Sequence, residues 1–387
     1  MASRTSKKSS KKGSSKRSSK SSKASAKGGA GRTRPVLVSK SAAMVSLAAV
    51  SGGELDRFVE AKEAWSEQLI KPTGLSASAF AARRPPASPA PEDNISGVGI
   101  GEKIIGGRHT GVMAVKFLVR VKYADNQIPP SDRLPAQVNG LPTDVEEVGT
   151  FRRFEAAVAL AATPDPRSLL RPAPPGCSVG FQDPGGTFIM AGTFGALVRR
   201  GQRLFILSNN HVLADENGLP VGSPIFQPGF LDAGNPPVTD RIAELSAFAR
   251  LQPLNTNFVD CAIAEVFDPS LVTNAIIKIG RPSGAVAARD KMVVHKFGRT
   301  TGYRVGFIDT TMMDVSVDYS IGRLKFKNQI IIRGLNGQPF SAEGDSGSLI
   351  VERDTARAVG LLFAGSASHT IANHIGDVFQ ALNVRLA

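Results

Sequence analysis

From Gly176 onward the chain alternates short apolar runs with turn-forming residues. The strings F-G-A-L-V, R-L-F-I-L, C-A-I-A-E-V, K-M-V-V-H-K-F, Q-I-I-I-R and A-V-G-L-L-F are strand-sized, and Gly, Pro, Asn and Asp separate them. This density of strands and turns predicts an all-β barrel or sandwich. Farther upstream, Leu55, Phe58, Val59, Trp65 and Leu69 recur at helical spacing between Glu54 and Ile70. They predict one amphipathic helix whose partner surface the pattern leaves open. From Ile95 to about Thr163 the chain begins with S-G-V-G-I-G-E-K-I-I-G-G and V-M-A-V-K-F-L-V-R-V-K, which predict two paired strands in a small α+β unit.

Proline punctuates these regions. Arg83 to Asp93 reads R-R-P-P-A-S-P-A-P-E-D, and a second cluster runs from Pro164 to Pro175. Proline lacks the N–H donor and enforces extended backbone, so both stretches are expected to be linkers. The expected organisation is a basic tail over 1–40, the helix and its linker over 41–94, the small α+β domain over 95–163, a linker over 164–176, and the main β domain over 177–387.

The net charge of +14 resembles a nucleic-acid signature until it is located: residues 1–40 hold thirteen Lys or Arg and no acid, leaving +1 for the remainder. A tail of Ser, Lys, Ala, Gly and Arg has nothing to bury and is expected to be disordered. It would serve as a salt-sensitive anchor for an anionic partner, nucleic acid or a membrane surface, or simply as a solubilising extension. Two cysteines, Cys177 and Cys261, are too few for a disulfide-stapled secreted scaffold. The first apolar run, Ala42 to Val50, is brief and follows about forty polar residues, unlike the apolar core of a signal peptide. Cytoplasmic residence is the expectation, and no run approaches the roughly 20 apolar residues of a membrane span.

Chemistry concentrates at three places. Glu343 to Leu349 reads E-G-D-S-G-S-L, setting Ser346 between glycines at a tight turn. An acyl-transfer enzyme must expose a hydroxyl and aim backbone N–H groups at the developing oxyanion; Gly344 and Ser346 would supply those donors. By itself the string also suits an ordinary turn. A serine needs a base, and among the five histidines His211 stands in F-I-L-S-N-N-H-V-L-A, directly after an apolar strand and before a polar loop. The base needs an orienting carboxylate, and Asp260, in N-F-V-D-C-A-I-A-E-V, sits at the threshold of a core strand where burial without a partner is costly. Taken singly, these two also suit a loop histidine and a strand-capping aspartate. Their chain order, His211, Asp260, Ser346, is that of the chymotrypsin triad rather than of subtilisin or the α/β-hydrolases.

With G-T-F-G-A-L-V, L-S-N-N-H-V, V-D-C-A-I-A and E-G-D-S-G-S-L in this order, roughly the last 210 residues resemble the trypsin-like serine proteases. R-P-A-P-P-G-C-S-V-G, K-F-G-R-T-T-G, G-L-L-F-A-G-S and, upstream, G-V-G-I-G-E-K and L-P-T-D-V-E-E-V-G resemble the narrow-leaf plant proteases and their bacterial relatives. The resemblance implies two perpendicular six-stranded antiparallel β-barrels, with His211 and Asp260 from the first and Ser346 from the second. It implies a serine endopeptidase acting on protein or peptide through an acyl-enzyme, with no metal and no organic cofactor. It also implies a substrate pocket with its floor at Phe340 and one wall along Phe363, Ala364 and Gly365. With no acid at Phe340, small or apolar P1 side chains are favoured over Lys and Arg. Lys103 to Gly107, K-I-I-G-G, imitates a zymogen cleavage site, but its alternation already suits a strand. The rival readings are a silent protease fold that binds peptides or partners, a nucleic-acid-binding protein working through its tail, and an esterase with the same triad. Oligomeric state is left open.

Overall fold

The computed structural model describes residues 45–72, 94–153, 164–182, 190–233 and 240–387. The basic tail, the proline-rich linker over 83–93 and the stretch 154–163 lie outside the described residues. In chain order the main elements are helix α1 (Gly52–Leu69) and strands β1 (Ile95–Ile105), β2 (Arg108–Val119) and β3 (Leu141–Glu147). Next come β4 (Ser178–Phe181), β5 (Ala196–Arg200), β6 (Arg203–Ser208), the short helix α2 (Asn210–Leu213), β7 (Pro224–Phe226), β8 (Arg241–Phe248) and β9 (Ala262–Val266). The chain ends with β10 (Val293–Gly298), β11 (Gly302–Tyr319), β12 (Gly322–Gly334), β13 (Leu349–Glu352), β14 (Arg357–Gly365), β15 (Thr370–His374) and α3 (Ile375–Leu382). The protein is thus mostly β-sheet.

Two sheets carry the fold. In one, β5, β6, β9, β8, β7 and β4 follow one another as antiparallel neighbours. In the other, β11, β12, β15, β14, β13 and β10 do the same, and β10 pairs back onto β11. Alternation explains the core: Val198, Phe205, Leu207, Ile263 and Leu361 are fully buried in one large cluster, and Val294, Ile308, Ile330, Ile350 and Leu362 in another.

The upstream strands extend the second sheet: β1 is antiparallel to β2 on one side and to β11 on the other. The glycines of G-V-G-I-G permit this approach, since a Cβ on Gly99 would lie 2.6 Å from the Met313 side chain. The expected α+β segment therefore shares its sheet with residues of the expected main domain. Lys103, Ile104 and Ile105 close β1, and Gly106 and Gly107 turn into β2 at φ 56° and 76°, so K-I-I-G-G is the end of a strand and its hairpin turn.

Helix α1 finds its partner on this extension. Phe58, Ala61 and Leu69 pack with Val98, Ile100, Val115 and Phe117, and Trp65 meets Phe117 edge-on at 5.4 Å. The same buried face carries a charge. Lys62 Nζ lies 2.7 Å from Asp314 Oδ1, both side chains fully buried, and Ser66 Oγ donates to Asp314 Oδ2 at 2.6 Å. The helix is thereby fastened to the middle of β11. Replacing Lys62 by Met strands the Asp314 charge, and a urea titration is expected to show a loss of about 3–5 kcal/mol. Most of that loss should be regained in the double variant Lys62→Met/Asp314→Leu.

Candidate active site

Strand β6 delivers Asn209, Asn210 and His211 into the interior, and the turn α2 begins there. Asp260 precedes β9, the neighbour of β6, so adjacent strand ends bring the two side chains together. His211 Nδ1 is 2.5 Å from Asp260 Oδ2, and both residues are fully buried. The other carboxylate oxygen accepts the Asn210 N–H at 2.7 Å and the His211 N–H at 3.4 Å. A carboxylate has no proton to give, so the imidazole carries its hydrogen on Nδ1 and leaves Nε2 as the basic atom. Among the described residues Nε2 has no hydrogen-bond partner. The backbone of Asp260 is held as well: its N–H donates to Asn373 Oδ1 at 3.0 Å, and its carbonyl accepts Asn209 Nδ2 at 2.7 Å.

Ser346 lies in the turn before β13, flanked by Gly344 and Gly347 at φ 88° and 93°. Gly347 is required on steric grounds too, because a Cβ there would meet Ser208 Oγ at 2.1 Å and Thr193 O at 2.3 Å. Thr193 clamps this turn to the first sheet. Its N–H donates to Ser346 O at 2.8 Å, its hydroxyl to Gly344 O at 2.9 Å, and its own carbonyl accepts Ser208 Oγ at 2.8 Å. Ser208 is three residues before His211, so the serine turn and the histidine turn share one buried region. The Ser346 hydroxyl donates to Phe363 O at 3.3 Å, and the residue is fully buried.

Asp345, next to Ser346, is also fully buried and holds the turn from beneath. Its carboxylate meets Lys296 Nζ at 2.7 Å, Thr301 Oγ1 at 2.6 Å, and the N–H groups of Thr300, Thr301 and Ala342 at 3.0, 3.1 and 3.0 Å. Burial opposes the charge of Asp345, but Lys296 and these donors outweigh it and hold the carboxyl below its usual range. Gly298 makes room: a Cβ there would lie 2.4 Å from Asp345 Oδ1. Arg299 donates its N–H to Thr193 Oγ1 at 3.0 Å and its guanidinium to Asp232. The string K-F-G-R-T-T-G is therefore the cradle of the serine turn.

Of the residues expected to form the substrate pocket, Phe363, Ala364 and Gly365 belong to β14, whereas Phe340 lies outside the sheet, in the stretch between β12 and β13. Phe340 is buried among Met292, Val294, Ile308 and Ile332. Phe363 packs on Phe326 with ring centroids 4.8 Å apart, Ala364 is buried, and Gly365 pairs with Thr370, whose hydroxyl bonds Ser341 Oγ at 2.5 Å. The two cysteines are free and buried, and burial pushes both thiols far above their usual range, away from nucleophilic use. Glu146, Asp309 and His369 group closely enough to hold a metal ion by residue type. Lys116 Nζ, 2.8 Å from Glu146, and Arg333, paired with both acids, already supply the positive charge there.

Sequence reasoning passed over Thr193, Lys296, Thr301 and Tyr319, each of which touches the site. For Lys296 and Thr301 a signal existed in K-F-G-R-T-T-G, and for Thr193 in G-T-F-G-A-L-V; for Tyr319 the contact is made only across the fold.

The chain is similar to chymotrypsin-fold serine proteases. Three solved structures of this kind are a glutamic acid-specific serine protease, Thermobifida fusca Protease A and the Nocardiopsis protease NAPase. The first is 16% identical, with 55% of this chain and 100% of that one covered at a TM-score of 0.39. Protease A is 16% identical over 55% and 97% at 0.39, and NAPase 17% identical over 54% and 95% at 0.38. The chain is also 26% identical, over 311 residues, to Protein NARROW LEAF 1 of Oryza sativa subsp. japonica, covering 70% of this chain and 51% of that protein. It thus spans about half the length of that curated relative. No family model matches the chain.

The low folded pKa of Asp345 carries a pH signature. A depressed carboxylate contributes stability that is complete above its unfolded value, about 3.9, and is lost as pH falls through the folded value. The urea midpoint of the protein should therefore decline as pH falls below about 4. In Asp345→Asn the midpoint should be lower at neutral pH, and the decline should be shallower. Equal slopes in the two proteins would show that this carboxylate is not the source.

Proposed function

We propose that the protein is a serine endopeptidase with His211, Asp260 and Ser346 as its triad. The 2.5 Å contact between His211 Nδ1 and Asp260 Oδ2 carries the reading, because it leaves Nε2 basic and without a partner beside a clamped, glycine-flanked serine turn. In this mechanism the Ser346 hydroxyl rotates from Phe363 O to His211 Nε2 and loses its proton to that nitrogen as Oγ attacks a peptide carbonyl. The backbone N–H groups of Gly344 and Ser346 stabilise the oxyanion, helped by the positive φ of Gly344. The proton passes to the leaving amine, and a water activated by the same nitrogen hydrolyses the acyl-enzyme. Asp260 keeps its charge and steadies the imidazolium. The closed ring of strand pairs from β10 to β15, and the six antiparallel neighbours from β4 to β9, support two six-stranded barrels with the site between them. Absence of an acid at Phe340 supports small or apolar P1 side chains. The lysine-rich residues 1–40 would hold the enzyme near an anionic partner in the cytoplasm.

A silent or gated protease fold is the second reading. The full burial of Ser346 and its bond to Phe363 O favour it, since a substrate must displace both.

A fluorophosphonate probe separates the two. Labelling is expected on Ser346 alone, abolished in Ser346→Ala and His211→Ala and slowed by roughly 10⁴-fold in Asp260→Asn. No labelling at any pH from 6 to 9, with the protein folded, would overturn the peptidase reading in favour of the silent one. Cleavage confined to Arg or Lys P1 in a peptide library would overturn the pocket assignment alone.

A further inference from the structure

We infer that Tyr319 is a positioning residue of this site, a fourth side chain that sets the direction and strength of the Asp260 carboxylate toward His211. The inference rests on the peptidase reading. Asp260 Oδ2 is shared between two donors, His211 Nδ1 at 2.5 Å and the Tyr319 hydroxyl at 2.6 Å. The carboxylate only accepts, so the phenol donates.

The hydroxyl is built into place. Tyr319 is 2% exposed, its ring stacks on Phe326 at 5.9 Å and meets His211 edge-on at 5.9 Å. Phe326 in turn packs on Phe363, whose carbonyl receives the Ser346 hydroxyl, so an aromatic line joins the carboxylate to the serine. Tyr319 ends β11, and the turn after it is anchored beside the histidine: Glu216, five residues beyond His211, accepts the N–H groups of Ser320 and Ile321, each at 3.1 Å. Asp318 N donates to Phe151 O at 3.2 Å, and Arg153 pairs with Glu216 at 2.9 Å. The hairpin β11–β12 is itself fastened by Lys62 on Asp314 and by the pairing of β1 with β11. The upstream helix and strands thus have a task in the site: they support the arm that carries the tyrosine.

Two donors on one oxygen draw electron density from Oδ2 and fix the lone pair that faces Nδ1. Burial, and then the charge of Asp260, push the Tyr319 phenol well above its usual range, so it stays a donor at every working pH. Among the described residues, the ionisable groups facing this corner are His211, Asp260, Cys261, Glu216 and Arg153. Cys261 is buried and neutral, and Glu216 and Arg153 neutralise each other. The pH response therefore belongs to the Tyr319–Asp260–His211 array.

Tyr319→Phe keeps the ring and removes the donor. With Oδ2 left to His211 alone, the imidazolium is held more strongly. The acid limb of the fluorophosphonate labelling rate should then move upward by about one pH unit, the scale of one charge-assisted hydrogen bond. The plateau should fall by about tenfold as the carboxylate loosens. Independently of turnover, the Nδ1 proton resonance of His211 in Ser346→Ala should shift when Tyr319→Phe is added. An unchanged pH profile and an unchanged Nδ1 resonance in Tyr319→Phe overturn the positioning role while wild-type labelling leaves the peptidase reading intact. Absence of wild-type labelling overturns both.

Discussion

A carboxylate removed entirely from water must find its donors inside the protein, and Asp260 finds four. Two are backbone N–H groups of the turn that begins α2, one is the imidazole of His211, and one is the hydroxyl of Tyr319. An isolated charge in such a place would cost far more than a domain's net stability, so each donor is a structural requirement as much as a chemical one. The position of the first sheet against the second follows from it. His211 comes from one and Tyr319 from the other, and they meet on the same oxygen.

The same rule repeats around the site. Asp345 is satisfied by Lys296, Thr300, Thr301 and Ala342, and Asp314 by Lys62 and Ser66. Buried pairs of this kind add little net stability compared with apolar packing of equal volume, but breaking one is severe. Each ties distant parts of the chain to one point: Lys296 holds the serine turn, and Lys62 holds the helix on the β11–β12 hairpin.

Geometry also separates what is ready from what must move. The histidine is already polarised by its carboxylate, whereas the serine hydroxyl is turned to Phe363 O within a closed interior. For the proposed reaction the hydroxyl must leave Phe363 O and the interior must open to a substrate, whereas the contact between His211 and Asp260 is already made in the folded chain.

Much was legible in the chain before folding. Strand-sized apolar runs from Gly176 onward, the helical spacing of Leu55 to Leu69 and the glycines around Ser346 all report local chemistry, and local chemistry is written in order. His211 and Asp260 could be singled out because each stands at the edge of an apolar strand where a polar side chain needs a reason. Strand β11 and most of β12 were not legible. Asp309, Asp314, Lys325 and their neighbours interrupt the alternation there, and these charges are buried where Arg333, Lys62 and the Ser66 carbonyl meet them from other parts of the chain. Tyr319 was invisible for the same reason, being one residue in a polar hairpin tip until a span of 59 residues is folded back onto Asp260. Sequence by itself determined which apolar runs become strands and where the reactive types lie; tertiary structure alone decided which buried charge meets which partner, because that pairing depends on distance through space.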